Sequence, residues 1–142
     1  MSFRASAAGA ALLAALALPA IATARSPRPG GETVKPVFRQ AIPNIPGKSL
    51  VSVVVTYEPG ATSTSHHHAG SAFIYAHVLS GAIRSQVDDQ PARIYRTGET
   101  WFEAPGAHHK ISENASRTEP ARLLAVFIVD SAEEVLTAPD HQ

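Results

Sequence analysis

Two short histidine groups carry the strongest chemical signal in this 142-residue chain, namely His66-His67-His68 and His108-His109. Imidazole clusters of this kind most often hold a transition-metal ion. Side chains alternate between the two faces of an extended strand, so His66 and His68 would share one face and His67 would take the other. A third ligand must then come from elsewhere, and the Pro-Gly turn before the second group could deliver His108 or His109. Three imidazoles would leave coordination positions open for water or substrate.

A histidine run on a solvated surface is the alternative interpretation, and it fits His67 and one member of the second pair best. The metal interpretation is favoured for the others, because an i, i+2 pair on a strand followed by a distant histidine after a glycine turn rarely arises without a function. The chain has no cysteine, which excludes disulfides, thiol nucleophiles and thiolate ligands. Any metal shell must therefore consist of nitrogen and oxygen atoms.

The first 24 residues have the pattern of a secretory signal peptide. A single basic residue, Arg4, precedes an apolar run from Ala8 to Ile21, and Ala22-Thr23-Ala24 forms a small-residue cleavage site. An uncleaved anchor is the alternative, but a glycine and a proline interrupt the apolar run, which leaves it short for a permanent span. The pattern predicts an exported protein, periplasmic or secreted, with no stable membrane span after cleavage.

The rest of the chain is predicted to form a flexible, Pro/Gly-rich leader over residues 25–32 and one domain over residues 33–142. That length is enough to bury a hydrophobic core without stabilising disulfide bonds or structural metal ions. The chain carries 12 basic and 12 acidic residues and no basic run, so nucleic acid is not expected as a partner.

Short apolar and β-branched runs alternate with turn residues after Thr33, a pattern typical of an all-β sandwich or barrel. The clearest strand ends at Tyr57 and places Val51, Val53 and Val55 on its core face together with that tyrosine.

The C-terminal third contains a strand and a predicted helix. Leu123–Val129 is apolar at every position, as expected for a strand covered on both faces, inside a sandwich or at a subunit contact. Ser131–Leu136 is predicted to be a short C-terminal helix, with Ser131 as its cap and two glutamates in the first turn.

Over about residues 48–130 the chain resembles the cupins, which are small double-stranded β-helix jelly rolls. Their first motif runs Gly, five residues, His-x-His, three or four residues, Glu, six residues, Gly. In this chain Gly60, His66, His68 and Gly81 fall in register. The glutamate position is occupied by Ile74, and five residues separate it from the second histidine.

The second cupin motif runs Gly, five residues, Pro-x-Gly, two residues, His, three residues, Asn. Here Gly98, Gly106 and His109 match, whereas Ala104 stands where the proline is expected and Glu113 at the asparagine position. The resemblance implies a jelly-roll barrel and, as is typical of such proteins, a homodimer.

Carried over residue by residue, the family's metal ligands map to His66, His68 and His109. Without the fourth carboxylate, the resemblance implies a shell of three neutral imidazoles, which leaves the full charge of a divalent ion to polarise a bound oxygen. His77 is a candidate replacement, although it would face the opposite side of a regular strand unless a bulge changes the phase. Glu103, near the second motif, is a candidate partner of a ligand, a general base or an ordinary strand residue.

Four aromatic residues are predicted either to line the pocket or to be plain core, namely Phe73, Tyr75, Trp101 and Phe102.

Two classes of function follow. In the enzyme interpretation, one divalent ion of iron, manganese, nickel, copper or zinc supports dioxygenase, isomerase or lyase chemistry on a small oxygenated molecule. In the binding interpretation, the same pocket captures a metabolite or a metal ion without turnover. Fold alone does not separate them, because jelly rolls host many chemistries. A third interpretation, a barrel without metal, would require the three histidines to diverge.

Overall fold

A computed structural model describes residues 28–140, and within this range the chain is all-β and contains no helix. Ten strands follow one another along these residues: β1 (Arg28–Ala41), β2 (Lys48–Thr62), β3 (His66–His68), β4 (Phe73–Ser80), β5 (Ala82–Val87), β6 (Arg93–Arg96), β7 (Thr100–Glu103), β8 (His108–Asn114), β9 (Ala121–Asp130) and β10 (Thr137–Pro139). The described part therefore offers no helical segment that could cross a membrane. The predicted signal peptide over residues 1–24 lies outside the described residues.

The ten strands of the described range form one sheet that curls into a nearly closed barrel. Its main path runs β10-β3-β8-β2-β9-β4-β7, with β1 paired to β2, β5 paired to β8, and β6 paired to β5. All of these pairs are antiparallel. The predicted all-β barrel of the jelly-roll type is confirmed.

The core lies on the inward faces of the neighbouring strands β2, β9 and β4, with Ile83 of β5 and Trp101 of β7 packed into it. Val51, Val53, Val55 and Tyr57 are buried, which confirms the predicted core face of β2. β9 alternates in the same way, with every second side chain buried and the intervening apolar ones half-buried. The expected cover on both faces of β9 is therefore complete only on the inner face. The side chains on its outer face remain partly exposed to solvent.

The pairing of β3 with β8 decides which histidines share a face. In this antiparallel ladder His66 lies opposite His109, and His67 lies opposite His108. Residues directly opposite each other on paired strands project from the same face of the sheet. His66, His68 and His109 therefore point into the barrel, whereas His67 and His108 point out of it.

The pairing of β4 with β7 is equally important for the site. Ile74 lies opposite Glu103 in this ladder, and both side chains are buried. Glu103 of β7 and Ile74 of β4 therefore point into the same part of the barrel interior.

The predicted C-terminal helix over Ser131–Leu136 is wrong. The segment forms a turn at Ser131 and Ala132 and then continues without regular secondary structure into β10, which pairs with β3. The Ser131 hydroxyl bonds to the Ser49 hydroxyl at 2.8 Å, and the Leu136 carbonyl accepts a hydrogen bond from the Ala69 amide at 3.0 Å. A six-residue helix is marginal in isolation, so tertiary contacts that favour this non-helical path override the local preference.

The N-terminal strand begins earlier than the sequence pattern indicates. Residues 28–32, which fall in the predicted leader, already pair with β2. Gly30 and Gly31 have φ angles of 82° and 78°, and the register shifts at this point. Glycine adopts such angles without steric cost, so the Pro/Gly-rich stretch forms a bulged strand at this end of the sheet.

Candidate metal centre

Three imidazoles converge inside the barrel at the positions expected from the sequence. One nitrogen each from His66, His68 and His109 lies within 4.8 Å of the others. The ring centroids are 4.9 Å apart for His66 and His68, 5.3 Å for His66 and His109 and 5.9 Å for His68 and His109. Nitrogen ligands at about 2.1 Å from one ion lie about 3–4 Å from each other. Small rotations of the rings are enough to place all three on one ion.

Two of the rings are held in the neutral form that binds metal. The Nδ1–H of His66 donates to the Thr64 carbonyl at 2.8 Å, which leaves the lone pair on Nε2. Burial lowers the pKa of His66. Burial also lowers the pKa of His109 to about 4, against the opposing charge of Glu103. The Ser85 hydroxyl lies 2.9 Å from Nε2 of His109 and fixes that ring.

Glu103 lies beside the three imidazoles. Its Oε2 is 2.9 Å from Nε2 of His68, and its Oε1 is 3.4 Å from Nδ1 of His109. The indole N–H of Trp101 donates to Oε1 at 3.0 Å and holds the carboxylate in this position. The cupin motif places a carboxylate at position 74, where this chain has Ile74. In this chain the carboxylate of Glu103 reaches the same region from β7, the strand paired with β4.

The carboxyl of Glu103 is buried yet charged. Burial raises its pKa, but the contacts with His68 and His109 and the Trp101 hydrogen bond together outweigh burial, so the pKa of Glu103 is lowered. With His109 neutral at pH 7, the contact between these two side chains is not a full ion pair.

Several buried polar atoms at this place have no hydrogen-bond partner among residues 28–140. They are Nδ1 and Nε2 of His68 and Oε2 of Glu103. His68 and Glu103 approach closely but without hydrogen-bond geometry. Two ligands at adjacent positions on one ion, each at about 2.1 Å, are separated by about 3 Å. Buried unpaired donors and acceptors are costly, and an ion between Nε2 of His68 and Oε2 of Glu103 would satisfy these two atoms, so the residues present fit a divalent transition metal.

A cavity of about 300 Å³ opens onto these groups. Its walls are largely apolar and come from β2, β4 and β9, with Val53, Val55, Ile74, Leu123 and Phe127 among them. Leu136, Thr137 and Pro139 close one side, so the C-terminal segment forms part of the wall. A small, mostly apolar pocket with a few convergent polar groups is typical of a small-molecule site.

A chain of hydroxyl groups lies on another part of the cavity wall. The Tyr57 hydroxyl is 2.8 Å from the Ser63 hydroxyl and 2.7 Å from the Ser112 hydroxyl, and Ser63 donates to Glu32. Burial raises the pKa of Tyr57 to about 12, so its hydroxyl keeps its proton. Sequence reasoning missed this group, since isolated serines and one core tyrosine carry no signal before the strands are paired.

The other candidate residues point away from the cavity. His77 lies on the outer side of β4, where its ring stacks on Tyr75 with centroids 6.3 Å apart, and it is not part of the three-histidine group. Phe73, Tyr75 and Phe102 are exposed on the same outer surface, so they form neither the pocket wall nor the core. Trp101 is buried and acts at the site through Glu103.

The chain belongs to the cupin family, because the model of the cupin domain matches residues 53–127, more than half of its length. The match spans the motifs that carry His66, His68 and His109. No curated protein matches the sequence significantly.

Solved structures with a similar fold include an uncharacterised conserved protein with a double-stranded β-helix domain from Klebsiella pneumoniae subsp. pneumoniae MGH 78578. It is 18% identical with a TM-score of 0.61, over 80% of this chain and 87% of that one. KdgF from Halomonas sp. is 17% identical with a TM-score of 0.56, over 72% and 82%. An oxalate oxidase in complex with the substrate analogue glycolate is 22% identical with a TM-score of 0.55, over 70% of this chain and 51% of that one. At these identities the likeness concerns the fold alone.

Proposed function

We propose that this cupin is a metal-dependent enzyme that acts on a small oxygenated organic molecule. The observation that carries the proposal is the group of buried, partnerless ligand atoms of His68 and Glu103 beside His66 and His109. In this proposal the three imidazoles and the Glu103 carboxylate hold one divalent ion of iron, manganese, nickel, copper or zinc. When bound, such an ion supplies Lewis-acid polarisation of a substrate oxygen, or redox chemistry if it is iron, manganese or copper.

The Glu103 carboxylate has two tasks at this centre. Its Oε2 faces His68 and serves as the oxygen ligand, while the Trp101 indole holds Oε1 in place. A carboxylate fixed in this way also reduces the net charge of the centre relative to three neutral imidazoles alone.

The hydroxyl chain supports a substrate that bears more than one oxygen. Tyr57 keeps its proton and can donate to a substrate oxygen, while Ser63 links it to the carboxylate of Glu32. Val55 and Phe127 contribute apolar wall to the same cavity. A molecule with one oxygen on the metal side and another on the hydroxyl side fits this pattern, as small hydroxy acids and keto acids do.

The general reaction type proposed is that of a dioxygenase, isomerase or lyase. The structural neighbours include an oxalate oxidase bound to glycolate, and glycolate is a small hydroxy acid. That likeness concerns fold, so it supports the choice of compounds to test rather than the reaction itself.

Elemental analysis of the purified full chain tests the metal centre. We expect the wild type to retain a tightly held transition metal after dialysis and His66→Ala to lose it. His77→Ala is the matched control, because this histidine lies on the outer face of β4, and it should keep the metal. Equal metal content in wild type and His66→Ala would remove the proposed centre.

Turnover is tested with the metal-loaded protein and a panel of small hydroxy, keto and dicarboxylic acids. Oxygen uptake and product formation are followed together, so that oxidation is separated from isomerisation and lyase chemistry. Metal binding without turnover on any compound, combined with saturable binding of one of them, would favour the alternative function of a non-catalytic binding module.

We further propose that the protein is exported to the periplasm or secreted after cleavage behind Ala24, and that it forms a homodimer. The support is the signal-peptide pattern of residues 1–24 and, for the dimer, the exposed apolar side chains Val37 and Phe38 on β1. Sequencing the N-terminus of the mature protein from each cell fraction tests export. Light scattering after size exclusion gives the oligomeric state.

A further inference from the structure

A second group of metal-binding side chains lies on the outer surface of the barrel. His67 comes from β3, His108 from β8, and Asp140 directly follows β10. The first two sit on the opposite face of their strands from His66 and His109. This outer cluster therefore shares two strands with the inner centre but is separated from it by the thickness of the sheet.

The ligand atoms of the outer cluster are already close together. Nδ1 of His67 lies 3.0 Å from Oδ1 of Asp140, and Nε2 of His108 lies 2.8 Å from Oδ2. One ligand atom from each of the three residues lies within 4.8 Å of the others. The two imidazole rings stack with centroids 4.0 Å apart and an angle of 12° between their planes, so both present ring nitrogens towards the carboxylate.

Backbone contacts fix the positions of the ligands. The His108 amide donates to the Asp88 carboxylate at 2.9 Å, and the Asp140 amide donates to the Ser65 carbonyl at 3.0 Å. His67 lies opposite Ala138 in the ladder between β3 and β10. The Ser65 hydroxyl donates to Oδ2 of Asp140 at 2.6 Å and orients the carboxylate. The cluster is thus preorganised by three strands that meet only in the folded barrel.

We propose that His67, His108 and Asp140 form a second site for a divalent transition-metal ion of the zinc, nickel or copper type. Two imidazoles and one carboxylate suit these ions, whereas magnesium and calcium prefer a shell of oxygens. The side chains are accessible, with exposed fractions of 52% for His67, 27% for His108 and 33% for Asp140, so an ion can enter from solvent and keep water ligands. In the absence of an ion the same atoms bond to one another, so binding replaces existing hydrogen bonds and is weaker and more exchangeable than at the inner centre.

Occupation of this outer site has a structural consequence for the cavity. Asp140 directly follows β10, and Leu136, Thr137 and Pro139 in the same segment line the cavity wall. An ion that joins Asp140 to β3 and β8 fastens this wall to the strands that carry the inner histidines. The outer ion would therefore reduce local opening of the C-terminal segment.

The test uses the full chain with the inner centre removed by His66→Ala and His109→Ala. We expect this variant to bind one zinc ion per chain in equilibrium dialysis with ZnCl₂ alone, and Asp140→Asn in the same background to weaken that binding at least about 10-fold. Asp89→Asn is the matched control, since this exposed aspartate pairs with Lys110 outside the cluster. No zinc binding by the inner-site variant, or equal binding after Asp140→Asn, would overturn the proposal.

A second measurement covers the case in which the inner-site variant does not fold. The wild type is then titrated with zinc, and we expect two ions per chain against one for Asp140→Asn. Hydrogen exchange of residues 136–140 in the wild type should slow on addition of the second equivalent. A single ion in both proteins, or exchange that zinc does not change, would contradict a site at this place. Loss of the inner ion alone would contradict the proposed function and leave the outer site standing.

Discussion

The inner and outer faces of the β3–β8 pair carry the same type of residue in two different environments. On the inner face, His68 and His109 are buried and His66 is half-buried, with Glu103 beside them. On the outer face, His67 and His108 are accessible and bond to Asp140. Neighbours in sequence thus differ in solvation because of strand alternation, and on the inner face burial lowers the pKa of His66 and of His109.

The histidines and carboxylates of the two faces also differ in whether their polar atoms have hydrogen-bond partners. Nε2 of His68 and Oε2 of Glu103 on the inner face have no hydrogen-bond partner among the described residues, and an ion between them would satisfy both. The outer atoms already bond to one another, so an ion must displace those contacts. We therefore expect a tight inner ion and a loose outer one, and the following predictions test this contrast from the largest effect to the smallest.

Removal of one inner imidazole should have the largest effect. A four-ligand site whose binding energy is about 10–16 kcal/mol loses about 2.5–4 kcal/mol per ligand, so His68→Ala should weaken metal binding on the order of 100- to 1000-fold. Competition with a chromogenic chelator measures the affinity. His77→Ala should stay within about 3-fold of wild type, and a similar loss in both variants would mean that the effect is general destabilisation.

Acid should act on the two clusters in different pH windows in the metal-free protein. Burial lowers the pKa of His109 from 6.5 to about 4, so between these values the unfolded chain binds a proton that the folded chain does not. The free energy of unfolding should therefore fall by about 3 kcal/mol as the pH drops from about 6.5 to 4, since one pKa unit corresponds to about 1.4 kcal/mol. His109→Gln should flatten this part of the curve in urea denaturation at each pH.

The Asp140 carboxylate of the outer cluster should respond in stronger acid. The Ser65 hydroxyl and the His108 ring lower the pKa of Asp140 from 3.8 to about 2. The unfolded chain takes up that proton first, so the stabilising contribution of Asp140 is present above about pH 3.8 and is lost as the pH falls towards 2. An Asp140→Asn variant that loses stability equally at pH 5 and pH 3, relative to wild type, would contradict this order.

Loss of the Glu103 carboxylate should weaken inner metal binding about 10- to 100-fold. Because Ile74 lies opposite Glu103 and both side chains point inwards, Ile74→Glu in the Glu103→Ala background should recover most of the lost affinity. Glu119→Ala, a change at an exposed position, is the control. Full affinity in Glu103→Ala would show that the carboxylate is not a ligand.

Trp101→Phe should have the smallest effect, about a 10-fold loss of metal affinity. The ring still packs against Tyr95, whose centroid is 4.5 Å away, but the hydrogen bond to Glu103 disappears. The d–d spectrum of bound cobalt should shift, since the carboxylate is less firmly held. A loss as large as that of Glu103→Ala, with an unchanged spectrum, would point to a packing defect instead.

Much of the fold could be predicted from local pattern. The alternation of Val51, Val53 and Val55 gives the core face of β2, because a strand repeats every two residues. The same rule places His66 and His68 together. Local pattern failed at Ser131–Leu136, where capping residues indicated a helix, but the segment forms a turn and leads into β10, which pairs with β3.

The sequence by itself determined most of the strands between β2 and β9, the shared face of His66 and His68, and the motif spacing that selects His109. The tertiary structure alone decided that Glu103, opposite Ile74, lies beside His68, and that Asp140 meets His67 and His108. The physical reason is that spacing along a strand is local, whereas contacts across strands depend on register and on how the barrel closes. Those two quantities arise from the packing of the whole core, which no single stretch of the chain encodes.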